Sequence, residues 1–360
     1  MKEMLNFTVG PVQSCEEIRN IGAEQVPYFR TSEFSEIMLD NEKLMKEFTG
    51  VSDDGRVVFI TGSGTASMEA TIINTLTSND NVLVVNGGSF GKRFVDLCNL
   101  HEIPHDEIKL NVGENLTKEI LNNYDGNKYT AFLVNLHETS TGVLYPIDLI
   151  SKYCKENNLL LIVDSISAFL ADEINMSESN IDVLITGSQK ALACPPGISI
   201  ITLSPRAVER VYSIKSKCMY FDLQSALENG VRGQTPFTPA VGILRQINKR
   251  LNMIKENGGV KSEIEKVHSL AKYFRDNISD LPFEMVSTHP SNAVTSLYSK
   301  NNKANDIFLY LKDNYDIWVC PNGGDLKDKI FRVGHIGDLS IKDYDKLIAA
   351  LKDMQQKNLL

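Results

Sequence analysis

No stretch of this 360-residue sequence is apolar for long enough to span a bilayer, since runs such as "LLLIV" are far too short. Its start, "MKEMLNFTVGPV", lacks the apolar core and small-residue cleavage site of a secretory leader, so a cytoplasmic protein is expected. Basic charge is not in excess either. The net charge of -9 argues against a phosphate-backbone partner, because nucleic-acid binders carry a basic face or stripe. The six cysteines, Cys15, Cys98, Cys154, Cys194, Cys218 and Cys320, form no CxxC pair and no framework spacing, and are read as reduced thiols. Low-complexity tracts and solenoid-period repeats are also missing, which excludes fibres and repeat arrays.

What remains is an ordinary globular composition, 42% apolar and 23% charged. The length exceeds the usual size of one core, so two domains are expected. From about residue 57 to 203, short runs such as "VVFI", "NVLVV", "AFLVN", "LLLIVD" and "DVLIT" alternate with helical stretches. The runs are apolar on consecutive residues, as in parallel strands covered on both faces. A doubly wound α/β sheet follows. Beyond "RQINKRLNMIKENGG" the pattern becomes helix, strand, strand, helix, strand, strand, helix, a small α+β unit. Its last helix opens on Ser340 and Asp343 at capping-box spacing. The expected division is an N-terminal arm over 1–20, a large domain over 21–257 and a small C-terminal domain over 258–360.

Ligands of such sheets bind beyond the carboxyl ends of the strands. After "VVFI" comes "TGSGTASMEA", where Gly62 and Gly64 allow a tight turn and Ser63 and Thr65 offer hydroxyls beside fresh helix amides. That is a phosphate cup, or a glycine turn that merely starts a helix. A dinucleotide site is disfavoured, because Ser67 replaces the third glycine and "VVNGG" lacks the acidic residue for a ribose. After "LLLIV" comes Asp164, which would face a metal, a cation or a protonated ring nitrogen, or else cap a helix. After "DVLIT" comes "GSQKALACPPG", with Lys190 just past the strand end. Among apolar walls a lysine loses proton affinity and becomes a nucleophile able to form a Schiff base; on an open loop it would only reach solvent. An aldehyde for the lysine, a phosphate for the glycine-rich helix start and a ring nitrogen for the aspartate describe one ligand, pyridoxal 5'-phosphate.

The segments "FTVGPV", "GSGTASMEA", "HETSTGVLYPID", "IVDSISAF", "GSQKALACPPG", "TPFTPAVGIL" and "FRVGHIGDL" extend over nearly the whole chain. In them the sequence resembles the class V branch of the fold-type I pyridoxal-phosphate aminotransferases. It is similar in particular to the alanine:glyoxylate, serine:pyruvate and 2-aminoethylphosphonate:pyruvate enzymes. The resemblance implies a homodimer with active sites at the subunit interface, and ping-pong transfer of an amino group to a 2-oxo acid. It implies that Lys190 forms the Schiff base, Asp164 pairs with the pyridinium nitrogen, and Ile166 and Phe90 cover the two ring faces. Ser63, Gly64, Thr65 and Gln189 would surround the phosphate, and Thr139 the phenolic oxygen. Thr235 and Thr238 would reach the partner's phosphate, Arg332 would hold the substrate's anionic head, and Gly10 would line the substrate pocket. Phe29 and His335 depart from the family pattern at positions bearing on the substrate.

Three other patterns compete. "HEIPH", His101 to His105, satisfies the HExxH zinc signature, but Pro104 would break the helix that it requires. Ser188 with Lys190 could form a hydrolase pair, which leaves Asp164 and the cup unexplained. A cysteine desulfurase would need a mobile thiol, for which Cys194 and Cys320 are the candidates.

Overall fold

The computed structural model describes residues 4–360. A seven-stranded sheet forms its centre, in the order Arg56–Thr61, Ile198–Leu203, Val183–Gly187, Leu160–Asp164, Ala131–Asn135, Val82–Asn86, His105–Lys109. The last five of these run parallel to one another, as expected of consecutive apolar runs. Ile198–Leu203 is antiparallel to both of its neighbours. The reason lies in the link that precedes it: the turn through "CPPG" is too short for the helical crossover of a parallel connection.

Every residue of Ala131–Asn135, Leu160–Asp164 and Val183–Gly187 is buried. Phe132, Leu161, Val163 and Leu184 enter one core, while Leu133, Ile162, Val183 and Ile185 enter the core on the opposite face. Each fully buried side chain of this size contributes about 1.5–3 kcal/mol of transfer free energy. The strand ends are thereby held as a rigid shelf.

A second, five-stranded sheet follows the order Leu5–Phe7, Ile317–Pro321, Ile330–Gly334, Val294–Ser299, Phe283–Met285. Phe7, Leu297, Val319, Phe331 and Val333 pack with the helices Gly259–Asn277, Ala304–Tyr315 and Ile341–Gln356. The N-terminal segment expected as an arm thus begins as an edge strand of the small sheet, parallel to Ile317–Pro321. At the start of the last helix, Asp343 Oδ2 accepts the Ser340 backbone N–H at 3.0 Å.

The Val143–Leu144 strand closes a hairpin with His137–Glu138, and this hairpin docks on the small sheet. Asn322 Nδ2 donates to Ser140 O at 3.1 Å, and the Ser291 N–H donates to Gly142 O at 3.1 Å. Asp172 accepts the Asn292 N–H at 2.8 Å and the Ser291 hydroxyl, adding a second tie between the two sheets.

Candidate active site

Asp164 and Lys190 come from neighbouring strands, Leu160–Asp164 and Val183–Gly187, paired in parallel register. Asp164 is buried, with Oδ1 accepting the Ile166 N–H at 2.9 Å and Oδ2 accepting Asn135 Nδ2 at 2.9 Å. It therefore braces a turn and is not a helix cap. Burial pushes its carboxyl up to about 6, opposed by those two hydrogen bonds and by the charges of Lys190 and Arg93.

Lys190 lies in the tight loop after its strand, where Ala193 N–H donates to Lys190 O and Cys194 N–H to Ser188 O. Only 9% of Lys190 is exposed, so it is not a loop lysine reaching solvent. Burial brings its ammonium down to about 8; Cys320 and Asp164 oppose the shift, and Arg332 and Arg93 add to it. Gly10 presses on it: a Cβ there would stand 2.8 Å from Lys190 Cδ and 3.2 Å from Nζ.

The cup is the N-terminus of the helix Gly64–Thr75. Ser63 occupies the N-cap without a side-chain capping bond, which leaves the first amides open. A Cβ on Gly64 would stand 2.0 Å from Ile166 Cδ1, so only glycine lets Ile166 lie over this helix start. Thr65 Oγ1 accepts Arg93 Nη1 at 2.9 Å. Gln189 Oε1 is buried without a protein partner among the described residues.

Phe90 opens the helix Ser89–Leu100, and the Arg93 guanidinium covers one ring face at 4.9 Å. Thr139 Oγ1 bonds Ser167 Oγ at 2.7 Å, and its carbonyl accepts Arg332 Nη1 at 3.0 Å. Arg332 Nη2 donates to Pro321 O at 2.7 Å, while Nε has no protein partner among the described residues. Thr235 and Thr238 lie on another loop. Thr235 Oγ1 donates to Phe237 O at 2.8 Å, and Thr238 is exposed.

The two departures acquire definite roles. Arg30 stacks on Phe29 at 4.5 Å and donates to Gln234 Oε1, Thr235 O and Pro236 O, so the pair "FR" holds the loop that carries Thr235. His335 is fully buried, with Nε2 bonded to Thr295 Oγ1 at 2.7 Å and Nδ1 to Tyr344 Oη at 2.9 Å. Both nitrogens are used inside the small unit, where His335 ties the strand of Thr295 to the last helix.

The competing patterns lose their geometry. His101 closes the helix Ser89–Leu100 whereas His105 opens the strand His105–Lys109, so no helix face holds both. Ser188 Oγ donates to Pro195 O at 2.6 Å and is not aimed at Lys190 as a nucleophile. Cys194 is buried with its thiol pushed up to about 12 by burial, and Cys320 lies on the Ile317–Pro321 strand. Neither is the mobile thiol of a desulfurase.

Sequence reasoning passed over four groups at the site. Asn135 ends its strand as Asp164 does, and the strand-end rule was enough to find it. Arg93 follows Phe90 by one helical turn. Glu138, fully buried, accepts the Phe90 and Gly91 N–H groups on Oε2 at 3.2 and 3.0 Å and so fixes the start of that helix. His137 is buried with both ring nitrogens unpartnered among the described residues, and burial, Lys190 and Arg332 hold its imidazolium down to about 3. Only the folded backbone brings these last two here.

In fold, the chain is similar to an alanine–glyoxylate aminotransferase structure from Nostoc sp., with a TM-score of 0.93 and 22% identity, covering 99% of this chain and 96% of that one. The sheet and its smaller companion unit have the fold of the fold-type I pyridoxal-phosphate aminotransferases. More narrowly, residues 24–324 match the model of the aminotransferase class-V family, and the chain belongs to that family of transaminases. An uncharacterized aminotransferase of Methanocaldococcus jannaschii is 32% identical over 353 residues, covering 95% of this chain and 90% of the relative. An L-aspartate–glyoxylate aminotransferase of Paracoccus denitrificans is 27% identical over 347 residues, covering 93% and 86%.

Proposed function

We propose that this transaminase carries an amino group from a small amino donor, of the alanine or serine kind, to a short 2-oxo acid such as glyoxylate or pyruvate. Pyridoxal 5'-phosphate is the cofactor, and the working unit is a homodimer. The reading rests on one arrangement: Lys190 and Asp164 buried at adjacent strand ends, with the Arg332 guanidinium within electrostatic reach of Lys190.

The residues present suit the cofactor. Its phosphate would be held by the uncapped start of Gly64–Thr75, by Ser63, Thr65 and Gln189, and by the partner subunit's copies of Thr235 and Thr238. Ile166, Thr139, Asp164 and the uncovered face of Phe90 would hold the ring. When bound, the cofactor supplies an aldehyde carbon for amines and a ring that accepts electrons from the substrate carbon.

The chain's own groups do the rest. With its ammonium brought down to about 8, Lys190 presents a substantial neutral fraction near physiological pH, the form that acts as nucleophile and as base. Lys190 Nζ would then be placed to take and hold the proton released from the substrate's Cα. Asp164, with two protein donors, is ionised above about pH 6 and stabilises a positive charge placed against it. The planar fork of Arg332 suits a carboxylate held by two oxygens. Gly10 keeps Lys190 within its slot.

An amine-donor panel tests the proposal. Alanine and serine are expected to change the visible absorbance of the holoenzyme, and glyoxylate or pyruvate to restore it. Aspartate and 2-aminoethylphosphonate belong in the same panel. A response to one of these alone would overturn the donor assignment while leaving the transaminase class intact.

A further inference from the structure

Ser296, Arg332 and Cys320 form a single row across the small sheet. Arg332 is the cross-strand partner of Ser296 on one side and of Cys320 on the other. Residues opposite one another in paired strands project from the same face. That face is the one turned away from the helices, because the alternate residues Leu297, Phe331, Val333 and Val319 enter the small core.

The row faces the hairpin and Lys190. Arg332 donates to Thr139 O on the hairpin, and a Cβ on Gly142 would stand 2.8 Å from Ser296 Oγ. The chain between Phe7 and Gly10 ties this end of the sheet to the lysine, since a Cβ on Gly334 would stand 2.6 Å from Thr8 O while Gly10 itself abuts Lys190. Along the row the cover thins. Ser296 is 2% exposed, Arg332 9%, and Cys320 is only partly buried. Among the described residues neither Ser296 Oγ nor Arg332 Nε, both buried, has a protein partner, as expected of groups awaiting a polar ligand.

A substrate whose carboxylate lies on Arg332 and whose nitrogen is delivered to Lys190 must set its Cα between them. We infer that Cys320 forms the open wall of this substrate pocket, beside Arg332, and that its small side chain determines which amino donors fit. This rests on the transaminase reading and adds the residue that discriminates by size. One methylene more or less in such a pocket changes selectivity by roughly 10- to 200-fold.

Alkylation with iodoacetamide, followed by peptide mass spectrometry of the holoenzyme, reads the wall without measuring turnover. Cys320 is expected to react, and saturating pyruvate to slow its labelling by roughly tenfold, with less protection in Arg332→Gln. In parallel, Cys320→Ala is expected to raise kcat/KM for donors longer than alanine by roughly tenfold relative to alanine, and Cys320→Ile to lower it. An inert Cys320, labelling that pyruvate leaves unchanged in an enzyme that still transaminates, or donor preferences unmoved in both variants would each overturn the wall while leaving the transaminase intact. Absence of any half-reaction in wild type would instead overturn the functional reading beneath it.

Discussion

Gly10 lies against Lys190 so closely that no side chain fits between them: a Cβ would stand 2.8 Å from Cδ and 2.9 Å from Cε. Its φ of +133° adds a backbone conformation that other residues rarely adopt. Gly10→Ala is expected to push Lys190 off its position and lower kcat by roughly 100-fold, the scale of an ångström's misplacement at a reacting group. Steady-state kinetics beside a circular dichroism melt would check it. Loss of folding without a kinetic defect in the folded fraction would contradict this.

Asp164 should make the cofactor-free protein less stable as pH rises. Its folded value of about 6 lies above the 3.8 of a free aspartate, so the folded chain binds more protons between those pH values and stability falls across that window. Asp164→Asn is expected to remove this loss, stabilising the apoprotein at pH 8 by on the order of 1–3 kcal/mol relative to its effect at pH 4. Asn135 Oδ1, unpartnered in the native structure, can accept the new amide if its own amide turns over. Turnover should collapse in the same variant. Urea melts at the two pH values, run beside activity assays, would show whether stability and function separate in this way.

Lys190 works in the opposite direction at higher pH. Its folded value of about 8 lies below the 10.5 of a free lysine, so the unfolded chain binds more protons between the two and apoprotein stability rises with pH there. Lys190→Met should flatten that rise, which denaturant melts between pH 8 and 10 would reveal.

Glu138 holds the start of the Ser89–Leu100 helix through the Phe90 and Gly91 amides. Glu138→Ala would strand the buried Gly91 donor, at a cost of about 1–3 kcal/mol when nothing replaces it, and the partly buried Phe90 donor at less. The expected outcome is a lower melting temperature together with weaker cofactor binding, measured by fluorescence titration, whereas Glu138→Gln should recover part of both.

Arg30 ties the loop of Thr235 with donations to Gln234, Thr235 and Pro236. If that loop serves the partner subunit, Arg30→Ala should weaken both the dimer and cofactor retention. Sedimentation velocity at falling concentration measures the first, and absorbance after gel filtration the second. A dimer as tight as wild type would argue that the loop acts within one chain.

Much of the site was readable from local pattern. Consecutive apolar runs announced covered parallel strands, and looking just past each run led to Asp164, Lys190 and the Gly64 helix start, since a strand end and its next few residues remain neighbours in any fold. Direction was harder: the antiparallel turn of Ile198–Leu203 depends on a short link that apolarity does not report. The role of His335 was not legible in the sequence, because its partners, Thr295 and Tyr344, come from a neighbouring strand and a helix.

The composition and strand-end residues therefore carried the fold class and the lysine–aspartate pair, because near neighbours in the chain stay near neighbours in space. Long-range packing set everything that depends on register and close approach: Gly10 on Lys190, Glu138 under Phe90, and Cys320 beside Arg332. Such contacts arise only when hydrogen-bonded strands and buried cores from distant segments settle into one alignment, and no single segment encodes that alignment.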